Sequence, residues 1–370
     1  MKKICHLTSV HPKNDTRIFY KECFSLSKNG YDVTLVYSGK NENDNFYDIK
    51  VVGVGYSPES RLKRILFTTK KVFEKALDLD CYIYHIHDPE LISYGIKLKK
   101  YGKKVIFDCH EDIFGYIEEK KWLPKIFRKP LSVLLNHYFK AALKKFDALI
   151  SVTPHLQEKL LKINDNTIMV TNFPILTDLD VNEKNGNDFT IIYTGGITKQ
   201  WSHIEIIKAI QGIDDIKYEA YGKYDDNNYK SYCNSLDISG NYIYKGFAKH
   251  EDISKILSNA DIGMALLKPS NNTDGRNGTL GNTKIFEYMM AGIPVICSKL
   301  KLWEEMVDKH HCGICVYESD PVKIRDAILK LKNNPKLSRE MGQNGRKAVE
   351  NEYCWKTQEE KLINLYKSLE

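Results

Sequence analysis

The feature that most limits the fold of this chain is a rhythm that stops and restarts. Short β-branched or apolar runs alternate with amphipathic stretches of helical period. The alternation lapses over residues 173–187 and then resumes. Runs at 4–9, 31–37, 49–54, 81–87, 104–108, 148–153 and 167–171 predict strands. Helical stretches lie between most of them, so the strands pair in parallel through right-handed crossovers. Asp15 or Thr16 is placed to cap the first helix, and Gly30 to stop it. Residues 173–187 are polar and aperiodic, with Pro174 and Gly186, and read as a linker. Beyond it, strands are expected at 189–194, 216–221, 241–244, 261–267 and 294–298, and helices at 202–211, 251–259 and 283–291. The expectation is therefore an α/β chain of two Rossmann-like domains, 1–172 and 188–354, facing each other across a cleft. A chain of 370 residues is long enough to bury two cores. Ligands of such sheets bind beyond the carboxyl ends of the strands, so the loops there hold the candidate chemistry.

Composition narrows the setting. Hydrophobic residues at 42% and charged residues at 28% are those of a soluble globular protein. No run approaches the roughly 18 apolar residues of a membrane span, and the N-terminus turns polar too soon for a signal peptide. Nine cysteines, an odd number scattered singly through apolar runs, suit a reducing cytoplasm. Cys312 and Cys315 form one C-x-x-C without a second ligand pair, which reads as a buried strand rather than a zinc site. The charge is uneven: residues 1–175 carry 29 Lys+Arg against 20 Asp+Glu, whereas 176–370 carry 26 against 28. An anionic partner for the first half and simple solvation of its lysines both fit that bias.

In the second half two loops stand out. Gly195 and Gly196 follow a strand directly; glycines let backbone N–H groups approach a phosphate, and Lys199 adds charge nearby. Ser202 with Glu205 has the spacing of a capping box for the next helix. No complete G-x-G-x-x-G occurs, which weakens a nicotinamide-cofactor reading. The stronger segment is 281–296. Asn282 or Thr283 can cap its helix, and Gly292 ends it. Lys284 and Glu287, at i and i+3, share one face near the helix N-terminus, where a diphosphate binds well and a carboxylate can hold paired sugar hydroxyls. A surface salt bridge between them, worth under about 1 kcal/mol, is the plainer alternative.

In the first half, His85-Ile-His87-Asp88-Pro-Glu90 and Asp108-Cys-His110-Glu111-Asp112 each end a strand with histidines and carboxylates. Such histidines serve a transferring sugar or relay a proton; Asp88 equally caps the next helix. In the loop after the first strand, Lys13 and Arg17 can meet an anion, and Asp15 can take an acceptor hydroxyl's proton or cap the helix. Residues 116–146 interleave Lys120, Lys121, Lys125, Arg128, Lys129, Lys140, Lys144 and Lys145 with large apolar side chains. That pattern fits a helix lying on an anionic membrane and, equally, a helix with an ordinary core face.

Over nearly its whole length the chain resembles the retaining family 4 glycosyltransferases. The segments HLTSVHPKNDTRIFYKECFSLSKNGYDVTLV, HIHDPELI, VIFDCHED, YTGGI, ADIGMALL and FEYMMAGIPVICS follow that family's order. The resemblance implies a GT-B fold, a nucleoside-diphosphate-sugar donor held by the second domain, an acceptor held by the first, and a C-terminal helix (355–370) that crosses back. Glu287 resembles the glutamate that holds the ribose. Gly195, Gly196 and Lys199 match the diphosphate loop. Lys245, Gly246 and Phe247 resemble the segment that meets the base, and His110 the histidine near the donor sugar. Asp15, Arg17, His87 and Glu111 fall on the acceptor side. The family often carries a second glutamate eight positions before Glu287; here it is Thr279, in a loop over 271–282 expected to close on bound donor.

The expected reaction moves a hexose-type sugar to a hydroxyl of a glycan or lipid-linked glycan, with retained configuration and no cofactor. Lys199, Lys284 and helix N-termini would stabilise the leaving diphosphate without a metal. The expected setting is surface polysaccharide synthesis in the cytoplasm, on or near the inner face of a membrane. No nucleic-acid partner is expected. Three rivals stand beside it: a nucleotide-sugar epimerase of the same fold, a metal-dependent hydrolase built on His85, His87, Asp88, His110 and Glu111, and a non-catalytic subunit that binds sugar nucleotide.

Overall fold

The computed structural model describes residues 2–55, 60–114, 125–177 and 188–370. The expected linker from 178 onward, and Lys120 and Lys121 of the basic stretch, lie outside them. The chain divides into two compact units: residues 1–172 with 355–370, and residues 173–354.

The first unit is built on an eight-stranded sheet. Its strands are β1 (Lys3–Leu7), β2 (Asp32–Tyr37), β3 (Asn43–Phe46), β4 (Ile49–Gly53), β5 (Ile83–Ile86), β6 (Lys104–Cys109), β7 (Ala148–Ser151) and β8 (Thr167–Met169). The order is β3-β4-β2-β1-β5-β6-β7-β8, parallel throughout except for β3 against β4. Polar, exposed β3 reads as a loop in sequence; it pairs only at the sheet edge, where no apolar face is required. Strand order reverses between β1 and β5, so the loops after these two strands border the switch point where such sheets bind ligands. Asp15 caps the Thr16–Cys23 helix, its carboxylate accepting from the N–H groups of Arg17 and Ile18. One face of the sheet buries Ile4, Val33, Leu35, Ile83 and Ile106 against Ile18, Phe19 and Cys23 and against Trp355, Leu362 and Tyr366 of the Trp355–Ser368 helix. Burial of each such side chain is worth about 1.5–3 kcal/mol. Polar contacts fix the register of that last helix: Trp355 Nε1 donates to Ser25 Oγ at 2.9 Å, and Gln358 Oε1 accepts from Thr171 N at 3.1 Å.

The second unit is an all-parallel six-stranded sheet of β9 (Phe189–Thr194), β10 (Ile216–Tyr221), β11 (Tyr242–Gly246), β12 (Ile262–Ala265), β13 (Val295–Ser298) and β14 (Gly313–Val316). The order is β11-β10-β9-β12-β13-β14, with its switch point between β9 and β12. Cys315 lies in β14, paired with Cys297 of β13 in register, and both are free thiols. The Asn227–Leu236 helix supplies the β10–β11 crossover. It was not anticipated, because only Tyr229 and Cys233 of its described residues are buried, too sparse a stripe to show a helical period.

Candidate active site

In the second unit, three glycine turns at the ends of β9, β10 and β11 are knitted together. Gly195 N donates to Tyr221 O at 2.9 Å, and Gly222 N to Gly246 O at 2.7 Å. A Cβ on Gly222 would stand 1.8 Å from Gly195 O, and its φ of +151° suits only glycine, so Gly222 lets the two loops touch. Gly195 has φ +131°, and a Cβ there would lie 3.1 Å from Lys284 Nζ. The Thr283–Met290 helix explains why Lys284 arrives at that point. Ile285, Phe286, Tyr288, Met289 and Met290 are buried, which turns Thr283, Lys284 and Glu287 to the other face. Tyr288 Oη accepts from Thr194 N at 3.0 Å and ties the helix to the end of β9.

The Lys284 ammonium stands 3.5 Å from the centroid of the Trp201 ring and 4.9 Å from that of Tyr193. Burial lowers its pKa to about 7, partly offset by the charge of Glu287. Among the described residues Lys284 makes no ion pair, so the salt bridge with Glu287 weighed from sequence does not form. Asn282 is the N-cap residue, but its side chain makes no cap hydrogen bond. The result is a desolvated cation beside a glycine turn and an uncapped helix N-terminus, an arrangement suited to an anion.

The other donor-side residues are placed less uniformly. Gly196 O accepts from Tyr193 Oη at 2.7 Å. Gly246 holds φ +79°, and Phe247 is 67% exposed. Lys245 is paired with Glu219 at 2.9 Å and Lys199 with Asp226 at 3.2 Å. The Ser202–Glu205 capping box does not form: Ser202 makes no cap bond, and Glu205 lies 3.5 Å from Lys268. The loop over 271–282, expected to close on bound donor, is tied to its own unit at several points. Arg276 meets Glu318 at 3.0 Å, Trp303 Nε1 donates to Thr279 O at 2.7 Å, and Gly281 N donates to Thr279 Oγ1 at 3.0 Å. Thr279 is buried, with its hydroxyl spent on its own loop.

In the first unit, the loops after β1, β5 and β6 enclose a cavity of about 550 Å³. His11, His87, Glu90, His110 and Glu111 line one part of it; Ile65, Leu135, Tyr138 and Phe139 line another. His110 Nε2 is 3.1 Å from Asp108 Oδ2 and 3.3 Å from His87 Nδ1. Burial alone would push the Asp108 carboxyl up, yet Arg17 and His110 hold it well below the usual carboxylate range. Burial lowers His87 to about 4, with Asp108 offsetting part of the effect. His11 is raised, because Asp15, Asp88 and Asp108 together outweigh its burial.

Residues 17–172 match the family described as "Glycosyltransferase Family 4", and residues 175–348 that described as "Glycosyl transferases group 1". The chain belongs to the family 4 glycosyltransferases. A glycosyltransferase of Methanocaldococcus jannaschii is 24% identical over 297 residues, covering 74% of this chain and 69% of its own. A GDP-mannose-dependent monoacylated α-(1-6)-phosphatidylinositol monomannoside mannosyltransferase of Corynebacterium glutamicum is 29% identical over 135 residues, 36% of this chain and 34% of its own. Anabaena HepE, solved with UDP and glucose, superposes with a TM-score of 0.72 at 13% identity, covering 100% of both chains. Its likeness establishes the GT-B fold.

As a glycosyltransferase, the chain no longer supports the hydrolase reading. Asp88 Oδ2 accepts from Ser9 N at 2.6 Å and from Thr8 Oγ1 at 2.9 Å, so it does not cap the next helix; its Oδ1 faces His11 Nε2 at 3.6 Å, while Glu111 is exposed. Arg17 is likewise not open to an anion. It is buried, with Nε 2.8 Å and Nη2 3.0 Å from the two oxygens of Asp108 and Nη1 2.8 Å from Val170 O. Lys13 is paired with Glu42 and Asp44. Asp15 is spent on its helix cap and on His11. Sequence reasoning missed Trp201, Tyr193, Gly222 and His11. A lone Trp six residues after a glycine pair was the available signal for Trp201; nothing in the sequence ties it to Lys284, 83 positions on.

Proposed function

We propose that this glycosyltransferase moves a sugar from a nucleoside diphosphate to a hydroxyl of a glycan or lipid-linked glycan, with retained anomeric configuration, in surface polysaccharide synthesis. The observation that carries the reading is the unpaired, desolvated ammonium of Lys284 beside the Gly195 turn and the open N-terminus of its helix. A diphosphate supplies the missing counter-charge and recovers the cost of burying the lysine. As the sugar–phosphate bond breaks, charge on the leaving diphosphate is held by Lys284 and backbone N–H groups, with no metal required. Glu287, one turn along, takes the ribose hydroxyls, and the Lys245–Phe247 segment takes the base. The first-unit cavity takes the acceptor, with His110 serving the reacting hydroxyls. The acceptor oxygen attacks on the face the diphosphate leaves, and the diphosphate oxygen receives its proton.

The test is a thermal-shift screen against UDP, GDP, ADP and their sugars, followed by NMR of the product anomer. One nucleotide raises the melting temperature, the shift disappears in Glu287→Ala, turnover is indifferent to added Mg²⁺, and the product keeps the donor's anomeric configuration. No shift with any nucleotide in folded protein, or an inverted product, overturns the reading.

Membrane contact through the first unit is part of the proposal. Leu62, Leu66, Phe67, Ile126, Val133 and Leu134 are all at least 60% exposed. They sit among Lys63, Arg128 and Lys129, on the two helical segments that also supply Ile65, Leu135 and Tyr138 to the cavity. An apolar surface with basic neighbours suits the interface of an anionic bilayer. Peripheral contact on the cytoplasmic face is what we propose; among the described residues no helix is long and apolar enough to cross a membrane. Vesicles containing phosphatidylglycerol sediment the protein at low salt; Leu66→Asp with Leu134→Asp abolishes it. Equal sedimentation of that variant refutes the contact.

A further inference from the structure

Beneath the switch point of the first sheet lies a buried set of ionisable side chains, of which only His87 also lines the cavity. His6 of β1 and His85 of β5 are register partners, so their side chains share one face of the sheet. His87, two residues on, returns to the same face. Glu22 reaches them from the Thr16–Cys23 helix, and Tyr366 from the C-terminal helix. Each of the four potential ligands is at most 2% exposed.

Glu22 Oε2 lies 3.9 Å from His6 Nδ1, 3.9 Å from His85 Nδ1 and 3.9 Å from His87 Nε2. All four ligand atoms fall within 4.8 Å of one another. Glu22 Oε1 stands 3.0 Å from Arg17 Nε, and Oε2, which accepts no hydrogen bond among the described residues, is turned toward the three imidazoles. A buried carboxylate oxygen without a donor is costly, and a cation enclosed by these four atoms would satisfy it.

We infer that His6, His85, His87 and Glu22 form a closed, structural binding site for a divalent transition-metal ion of the zinc type. Tetrahedral zinc with bonds of about 2.0–2.2 Å needs ligand atoms about 3.4 Å apart. The three contacts of Glu22 are slightly wider than that, and the 2.9 Å contact of His6 Nδ1 with His87 Nε2 slightly narrower. Closing the site requires the His85 and His87 rings, now stacked with centroids 4.5 Å apart, to turn toward a common point, with the ion replacing that hydrogen bond. Three imidazoles suit zinc over magnesium or calcium, and four protein ligands leave no position for a reacting water. Supporting contacts are in place: Tyr366 Oη lies 3.4 Å from His6 Nε2, and Asp108 Oδ2 lies 3.7 Å from His87 Nδ1. Tyr366 Oη also lies 2.8 Å from His85 Nδ1, and on metal binding it gives up that contact for His6. The ion would join β1, β5 and the first helix at one point, beneath the loops that line the cavity.

The experiment uses the full chain without a polyhistidine tag. Zinc is measured by mass spectrometry of the purified protein; the protein is then stripped with dipicolinate and titrated with Zn²⁺ and with Co²⁺. One ion per chain is expected, with a lower melting temperature after stripping, recovery on adding Zn²⁺, and the intense visible absorption of four-coordinate cobalt. Glu22→Gln and His6→Asn should each lose the stoichiometric ion. Background metal with no thermal response to Zn²⁺, or metal retained in full by both variants, overturns the assignment. Should the variants not fold, the wild-type cobalt spectrum decides: weak, six-coordinate absorption, or none, excludes the site.

Discussion

Both sheets gather charged residues at the carboxyl ends of their strands, and they treat two of the cations there, Arg17 and Lys284, in opposite ways. In the first unit the charges are spent on one another. Arg17 clamps Asp108, Asp108 holds His110, and Asp88 holds the Thr8–Ser9 turn. In the second, Lys284 is held over Trp201 and, among the described residues, makes no ion pair. The first arrangement fixes loop positions; the second leaves charge to be completed by a ligand. A lysine or arginine at a strand end is thus not evidence of anion binding until its counter-charge is known.

The largest effect expected from this contrast is on stability. Arg17→Met leaves the Asp108 carboxylate buried without its guanidinium and should cost about 3–5 kcal/mol. Urea denaturation measures it; a loss below about 1 kcal/mol would mean that solvent reaches Asp108 and that the network does not hold the fold.

Lys284→Met should reverse the pattern. It removes a desolvated cation, so stability holds or rises, while donor affinity falls roughly 10- to 100-fold, as expected for lost charge-assisted hydrogen bonds of about 1.5–3 kcal/mol. The same lysine predicts a pH dependence. With a free-state pKa of about 7, it is protonated below pH 7, and donor affinity there is flat. Above pH 7 binding must take up a proton, because the diphosphate favours the ammonium. Affinity then weakens by up to about tenfold per pH unit until the bound-state pKa is reached. Calorimetry of a nucleotide sugar in buffers of different ionisation heats reads that proton directly. Lys284→Arg should abolish the slope, and a slope that survives belongs to another group.

The two-sheet α/β fold was legible because parallel strands buried on both faces read as apolar runs, and crossover helices keep their period. The edge strand β3 and the Asn227–Leu236 helix were not, since neither buries enough apolar surface to leave a pattern. At the candidate site, the residues set by local chain geometry were readable. Asp15 as a cap depends on neighbours two and three positions away, and the shared face of Lys284 and Glu287 depends on helical spacing alone. Pairings such as Arg17 with Asp108, 91 positions apart, leave no local trace. Neither does the inward turn of Glu22 toward three histidines, which from the helix period alone resembles any other glutamate.

The smallest predicted effect concerns Lys199, which the family resemblance puts at the diphosphate. Its side chain is 70% exposed and held 3.2 Å from Asp226, the residue that caps the Asn227–Leu236 helix. Its charge is screened by solvent and already balanced, whereas Lys284 is neither. An exposed pair of this kind contributes about 0–1 kcal/mol. Lys199→Ala should therefore change stability little and weaken donor binding less than about threefold, with the residual effect fading at high salt as expected of a screened charge. Side-by-side titration of Lys199→Ala and Lys284→Met with one nucleotide sugar separates the two lysines. Equal losses would mean that Lys199 leaves Asp226 for the diphosphate when donor binds, so that the second unit, like the first, holds part of its charge in internal pairs until a ligand competes for it.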